Sequence, residues 1–230
     1  MTGALFWRRY AAWSLDATLV GAAVVLLCWP RLQPAAEALG HDYATALEAA
    51  GRSLGEALAA GTPLLALATQ WLADPTLRAA IEALSNSLLA LLWPPLLVSA
   101  VLGAGYHVLF EPSPRQATPG QRLLGLRVAD MAGARIGRGR ALLRHVAGAL
   151  SWLTLNIGHA LVLLRPDRRA LHDLVAGTRV VQDAEANAKL PPLARAWLGV
   201  QLLALWWAVA VWFGATNGAL ERGLNAAFGL

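Results

Sequence analysis

The chain has 230 residues, 57% of them hydrophobic and 14% charged, with ten tryptophans and a mean hydropathy of +0.49. That composition excludes a disordered chain and a collagen-like repeat, and a single cysteine, Cys28, excludes an internal disulfide framework. The net charge of +5 would suggest nucleic acid in a soluble chain, but with this apolar fraction it fits the basic cytoplasmic loops of an integral membrane protein, and no nucleic-acid partner is expected.

The first apolar run covers residues 10–29 and is closed by Pro30. Twenty helical residues rise about 30 Å, the thickness of a hydrocarbon core. Arg8 and Arg9 precede the run, Asp16 interrupts it, and no small-x-small cleavage site follows, so an uncleaved span is expected. Residues 31–82 are acidic, with three arginines against six carboxylates, and are expected outside the membrane. There Leu39, Tyr43, Leu47, Ala50, Leu54 and Leu58 form one stripe of an amphipathic helix. Gly61-Thr62-Pro63 should end that helix and start the next, with Thr62 as cap and Pro63 in the first turn. Asp74-Pro75 repeats the device.

The second span has its apolar core at residues 88–110. Pro94-Pro95 should kink or break it, with Ser85, Asn86 and Ser87 placed to help satisfy freed carbonyls. Residues 111–140 carry six arginines against Glu111 and Asp130. A strand near Leu126–Asp130 could pair locally across a Met131-Ala132-Gly133 turn, or with a second strand near residues 178–181. The third apolar region, residues 141–164, either spans the membrane or forms a re-entrant hairpin turning near Asn156 and Gly158. A re-entrant hairpin keeps both basic flanks on one side and allows the two strands to meet. The last span, residues 196–213, is uncharged and bounded by Trp197 and Trp212.

The expected fold is therefore an all-α membrane protein. It has three full transmembrane helices, a third apolar region that is a re-entrant helical hairpin or a fourth span, and a small cytoplasmic β-hairpin or strand element. Four segments follow: 1–30, the N-terminus and first span; 31–82, an acidic extracytoplasmic insertion; 83–183, the second span, basic loop and third apolar region; and 184–230, a linker, C-terminal span and tail. Arginine placement puts the N-terminus in the cytoplasm, and the Arg-, Ala- and Leu-rich composition hints at a bacterial inner membrane.

Asp16 is the residue that composition singles out, because an ionisable group within a span must recover several kcal/mol from a partner or a cavity. Arg9 lies seven residues earlier, on nearly the same face and about 10 Å away along the axis. Two further landmarks are Thr118-Pro119-Gly120-Gln121-Arg122, a proline-glycine turn before a strand, and Leu171-His172-Asp173-Leu174-Val175-Ala176-Gly177-Thr178, a short helix before another. With Arg8-Arg9 and Asp16, these stretches resemble the RDD family of bacterial membrane proteins, named for an arginine and two aspartates. The resemblance covers the first span and roughly residues 88–182. It implies that Arg9 (or Arg8), Asp16 and Asp173 are the signature residues, with Thr118, Gly120, Arg122 and His172 beside them. The family usually has lysine where this chain has Gln121. What it implies about function is modest: a multi-span domain for which transport has been suggested.

No metal-ligand spacing, phosphate loop or nucleophile elbow is visible, so neither an enzyme nor a cofactor or metal is expected. Two functions compete. In one, Asp16 with Arg9 and Asp173 handles a cation or proton, in a homo-oligomer or with a partner because three or four spans are few for a pathway. In the other, the protein is a non-transporting scaffold in the lipid bilayer whose extracytoplasmic helices bind an envelope protein.

Overall fold

The computed structural model describes residues 2–153, 157–183 and 189–228. In chain order the elements are α1 (Thr2–Ala59), α2 (Leu64–Ala73), α3 (Pro75–Phe110), α4 (Pro119–Leu123), β1 (Leu126–Asp130), α5 (Arg138–Leu153), α6 (Ile157–Leu164), α7 (Leu171–Val175), β2 (Thr178–Gln182) and α8 (Pro192–Phe228). Among the described residues, three helices are long and apolar enough to cross a membrane, within Leu5–Ala59, Pro75–Phe110 and Pro192–Phe228. Leu202, Leu203, Trp206 and Trp207 stand exposed on successive faces of α8, as suits a helix surrounded by lipid. The protein is an all-α membrane protein with one two-stranded sheet.

Proline placement misleads at three points. Pro30 does not close the first helix, which continues through Pro30 and Pro34. These rings are four residues apart, so the carbonyls they leave without a helical donor, those of Leu26 and Pro30, fall on one face. The other bonds of each turn survive. Of the kink or break expected at Pro94-Pro95, the break is absent: α3 runs on through both rings. Ser85 and Ser87 do not serve the carbonyls freed there; their hydroxyls donate to Ile81 and Leu84 within their own turns. Pro63 is the N-cap of α2 rather than its first residue, and Thr62 makes no cap. Asp74 behaves as expected, accepting from the backbone of Thr76 and Leu77.

The third apolar region is two helices, α5 of 16 residues and α6 of eight, and neither reaches the length of a span. They pack closely: a Cβ added at Gly158 would stand 2.3 Å from Ser151 Oγ. The residues joining them, including Asn156, lie outside the described residues. This is the helical pair that the hairpin alternative requires.

The sheet takes the second of its two expected pairings. β1 and β2 run antiparallel, with Val128 opposite Val180 and Asp130 opposite Thr178. Arg135-Ile136 forms no strand, because Asp130 Oδ1 accepts from Ala132 and Ala134 and folds that stretch into a turn.

The chain divides into two compact units, Met1–Val24 with Leu97–Gln201, and Val25–Leu96 with Leu202–Leu230. In the first, Leu124 and Leu126 pack with Ala11, Ala12 and Ala194, and Val128 packs with Ile136 and Ala141. In the second, α1 and α8 meet through small residues. A Cβ at Gly51 would stand 2.7 Å from Leu220 O, and one at Gly223 would stand 2.4 Å from Glu48 O. The expected leucine stripe is only half-buried there, and Leu58 is exposed. Close backbone approach, rather than large side chains, sets that contact.

Candidate functional site

Arg9, Asp16 and Asp173, the residues the resemblance singles out, lie in the first unit, and they form two sites rather than one. At the first, the Asp16 carboxylate is 3% exposed on α1. Thr118 donates its hydroxyl to Oδ2 at 2.5 Å, while the Gly120 amide and the Tyr106 hydroxyl each donate to Oδ1 at 2.7 Å. The turn that supplies two of these donors is rigid by its own chemistry. Thr118 is the N-cap of α4, its Oγ1 accepts from Gln121 N, and Gln121 Oε1 accepts from Thr118 N in return. Lysine has no acceptor and could not close this box, so the departure at Gln121 has a local structural use. Gly120 cannot be larger: a Cβ there would meet Ala12 O at 2.4 Å and Asp16 Oδ1 at 2.8 Å. Asp16 fastens the turn to α1 with neutral donors.

The second site is ionic. Arg9 does not turn toward Asp16. Its Nη2 donates to Asp173 Oδ2 at 2.6 Å, and its Nη1 to Arg168 O at 3.1 Å. Asp173 is fully buried and also accepts from the Ala170 amide at 2.9 Å, which ties it to the start of its own short helix. Arg144 of α5 donates Nη1 to both Asp173 Oδ1 and Thr178 Oγ1, and its Nε to Glu111 Oε1 at 3.3 Å. His107 Nδ1 lies 3.1 Å from the same Glu111 oxygen. A chain of contacts thus runs Arg9–Asp173–Arg144–Glu111–His107, with two arginines balanced by two carboxylates. Burial alone would raise the Glu111 carboxyl, but Arg144, followed by His107, holds it below its ordinary value.

A histidine pair borders the network. His172 and His159 have ring centroids 5.1 Å apart, and the Nδ1 atoms of both are buried without a hydrogen-bond partner. Glu111 Oε2 is in the same condition. Burial, then the charges of Arg144 and Arg9, push the His172 imidazole well below its ordinary 6.5, so the ring is neutral. Among the described residues, no three His, Cys, Asp or Glu side chains form a group that could hold a metal ion.

Of the expected residues, the structure joins Arg9 with Asp173, places His172 beside them, and joins Asp16 with Thr118 and Gly120. Arg8, the other candidate for the signature arginine, instead donates to Leu124 O and Lys189 O. Arg122 donates to Ala117 O and lies over the Phe110 ring at 5.5 Å. Sequence reasoning passed over Arg144, Glu111, Tyr106 and Thr178. Arg144 carried a usable signal, since an arginine within an apolar run is as costly as Asp16. Glu111, at the membrane end of a basic loop, carried a weaker one.

An 88-residue stretch is 33% identical to the uncharacterized protein YxaI of Bacillus subtilis (strain 168), covering 38% of this chain and 58% of that relative. The chain therefore matches less than two thirds of the relative's length. No solved structure matches. Residues 4–177 match the RDD family, a stretch that includes Arg9, Asp16, Asp173 and every partner of theirs named above except Thr178. On that match, which covers most of the chain, the chain belongs to the RDD family.

Proposed function

We propose that this is a transport-related membrane protein in which the buried network of Arg9, Asp173, Arg144 and Glu111, bordered by His107 and His172, handles a proton or cation. The single observation that carries the reading is the connected run of buried ionisable groups that still holds unpaired atoms, Glu111 Oε2 and His172 Nδ1. Burying so many charges costs several kcal/mol each before pairing, and replacing them with apolar residues would often be neutral or stabilising. A network kept under those terms has a use for its charges. Asp16, saturated by three donors, supports the site from a distance by fixing the α4 turn. The N-terminus is taken as cytoplasmic, in a bacterial inner membrane, because Arg8, Arg9 and the arginines of residues 111–140 would then share that side.

The test is ion flux by the full chain in proteoliposomes under imposed proton, sodium and potassium gradients. Glu111→Gln should abolish flux while the protein remains monodisperse in detergent. Undiminished flux in that variant, or no flux from the wild type with any of these ions, overturns the reading. A non-transporting scaffold is the competing function, favoured by the purely fastening geometry at Asp16. Its envelope partner would bind the acidic helices within residues 31–82, and it predicts the second of those outcomes.

A further inference from the structure

The first unit carries another cationic feature, lined by residues that take no part in the network's ion pairs. A cavity of about 520 Å³ opens where the last turn of α3 meets the start of α5. Val108, Leu109, Ser113, Arg135, Ile136 and Arg138 are among its lining residues; of these Ile136 is buried, while Arg135 and Arg138 are exposed. The segment bearing the arginines is held in place. Asp130 clamps the preceding turn, and Ile136 is 2% exposed, packed against Val128 and Ala141.

Three features of this cavity ask for an anion. Arg140 is paired with Asp130, but neither Arg135 nor Arg138 has an ion-pair partner among the described residues. Ser113 Oγ is buried and lacks a hydrogen-bond partner. Arg138 also opens α5, a 16-residue helix whose first turn has no acidic residue to meet its free amides. Two guanidinium forks, a hydroxyl and helix-end amides together suit phosphate oxygens.

The surroundings favour a lipid as the source of that phosphate. Val108 and Leu109 belong to the final turn of a helix apolar enough to cross the membrane, so the cavity sits at the level where such a helix leaves the bilayer. Leu109 is exposed beside it, and α5 continues from its basic start into exposed Leu142, Leu143 and Val146. A helix with a cationic beginning and an uncovered apolar face is suited to a headgroup–acyl boundary. We propose that this cavity seats the phosphate of an anionic phospholipid headgroup, with Arg135 and Arg138 as its ligands.

The purified full chain in detergent would be titrated with short-chain fluorescent phosphatidylglycerol, and with phosphatidylcholine of the same chains, reading anisotropy. Saturable binding of phosphatidylglycerol is expected, weakened roughly 25-fold in an R135Q/R138Q variant, about fivefold per arginine. An R31Q/R52Q control, which removes two exposed arginines of the other unit, should bind like the wild type. Equal binding of the two lipids, unchanged binding in R135Q/R138Q, or full displacement by millimolar inorganic phosphate overturns the proposal. The last result would mark a site for free phosphate instead.

Discussion

Asp173→Asn is the most informative single change, because it keeps the shape of the side chain and removes one charge from a balanced set. Asp173 is fully buried, and its two oxygens take Arg9, Arg144 and the Ala170 amide. After substitution Arg144 keeps Glu111, but Arg9 retains only the carbonyl of Arg168. Leaving one buried cation uncompensated costs about 3–5 kcal/mol. For a protein of this size, that lowers Tm by about 10 °C. Fluorescence-detected size-exclusion after heating in detergent measures the shift. The reasoning also predicts a sign in the double variant: Arg9→Gln with Asp173→Asn restores neutrality, so it should be no less stable than Asp173→Asn alone. A Tm shift under about 2 °C, or strictly additive losses in the pair, would refute the account of Asp173 as the shared counter-ion.

Gly120→Ala should destabilise by about 1–3 kcal/mol or more, since the added methyl meets Ala12 O at 2.4 Å and backbone cannot yield as a flexible side chain would; wild-type Tm in that variant would show that the α4 turn is not pressed onto α1. His172 predicts a pH dependence. Its folded pKa lies well below 6.5, so below that pH the unfolded chain takes up a proton that the folded chain does not. Stability therefore falls as pH drops from about 6.5 toward 5, by at most about 1.4 kcal/mol per unit for this group. His172→Gln should flatten that decline, and an identical slope in thermal scans across this range would exclude His172 as its source.

How much was readable in advance follows from the range of each interaction. The spans, the Asp74 cap and both strands are set within a few residues, and each was recoverable from pattern alone. The prolines misled because local propensity counts the lost hydrogen bonds of Pro30 or Pro94 but not the many bonds that remain in a 58- or 36-residue helix. The leucine stripe of the second unit misled differently: contact there depends on how closely two backbones approach, which favours Gly51 and Gly223 over Leu54. At the site, the family motifs located Arg9, Asp16 and Asp173, yet nothing in them says which of the two aspartates takes the arginine. That choice rests on Arg144 and on contacts spanning more than 150 residues, such as Arg9 to Asp173.

The spacing of Arg9 and Asp16 takes on meaning once those partners are known. Seven residues are two helical turns and about 10 Å of rise, too far for an ion pair but enough for two separate docking points on one face of α1. Asp16 holds the turn that begins α4, and Arg9 holds the Asp173 that begins α7. Each short helix leads directly into a strand, α4 into β1 and α7 into β2, and those strands pair antiparallel. One helix thus fixes both ends of a closed circuit, α1 to α4 to β1 to β2 to α7 and back to α1. The two aspartates differ in chemistry because their positions differ. Asp16 lies deeper along the apolar run and is met by neutral donors, so no second charge has to be buried with it. Asp173 lies where Arg9 and Arg144 can reach, and there the charges are both paired and extended toward Glu111. A proton arriving at Glu111 would unbalance Arg144, and through it Asp173 and Arg9, so the Arg9–Asp173 link that closes the circuit is also where the ionic network meets it.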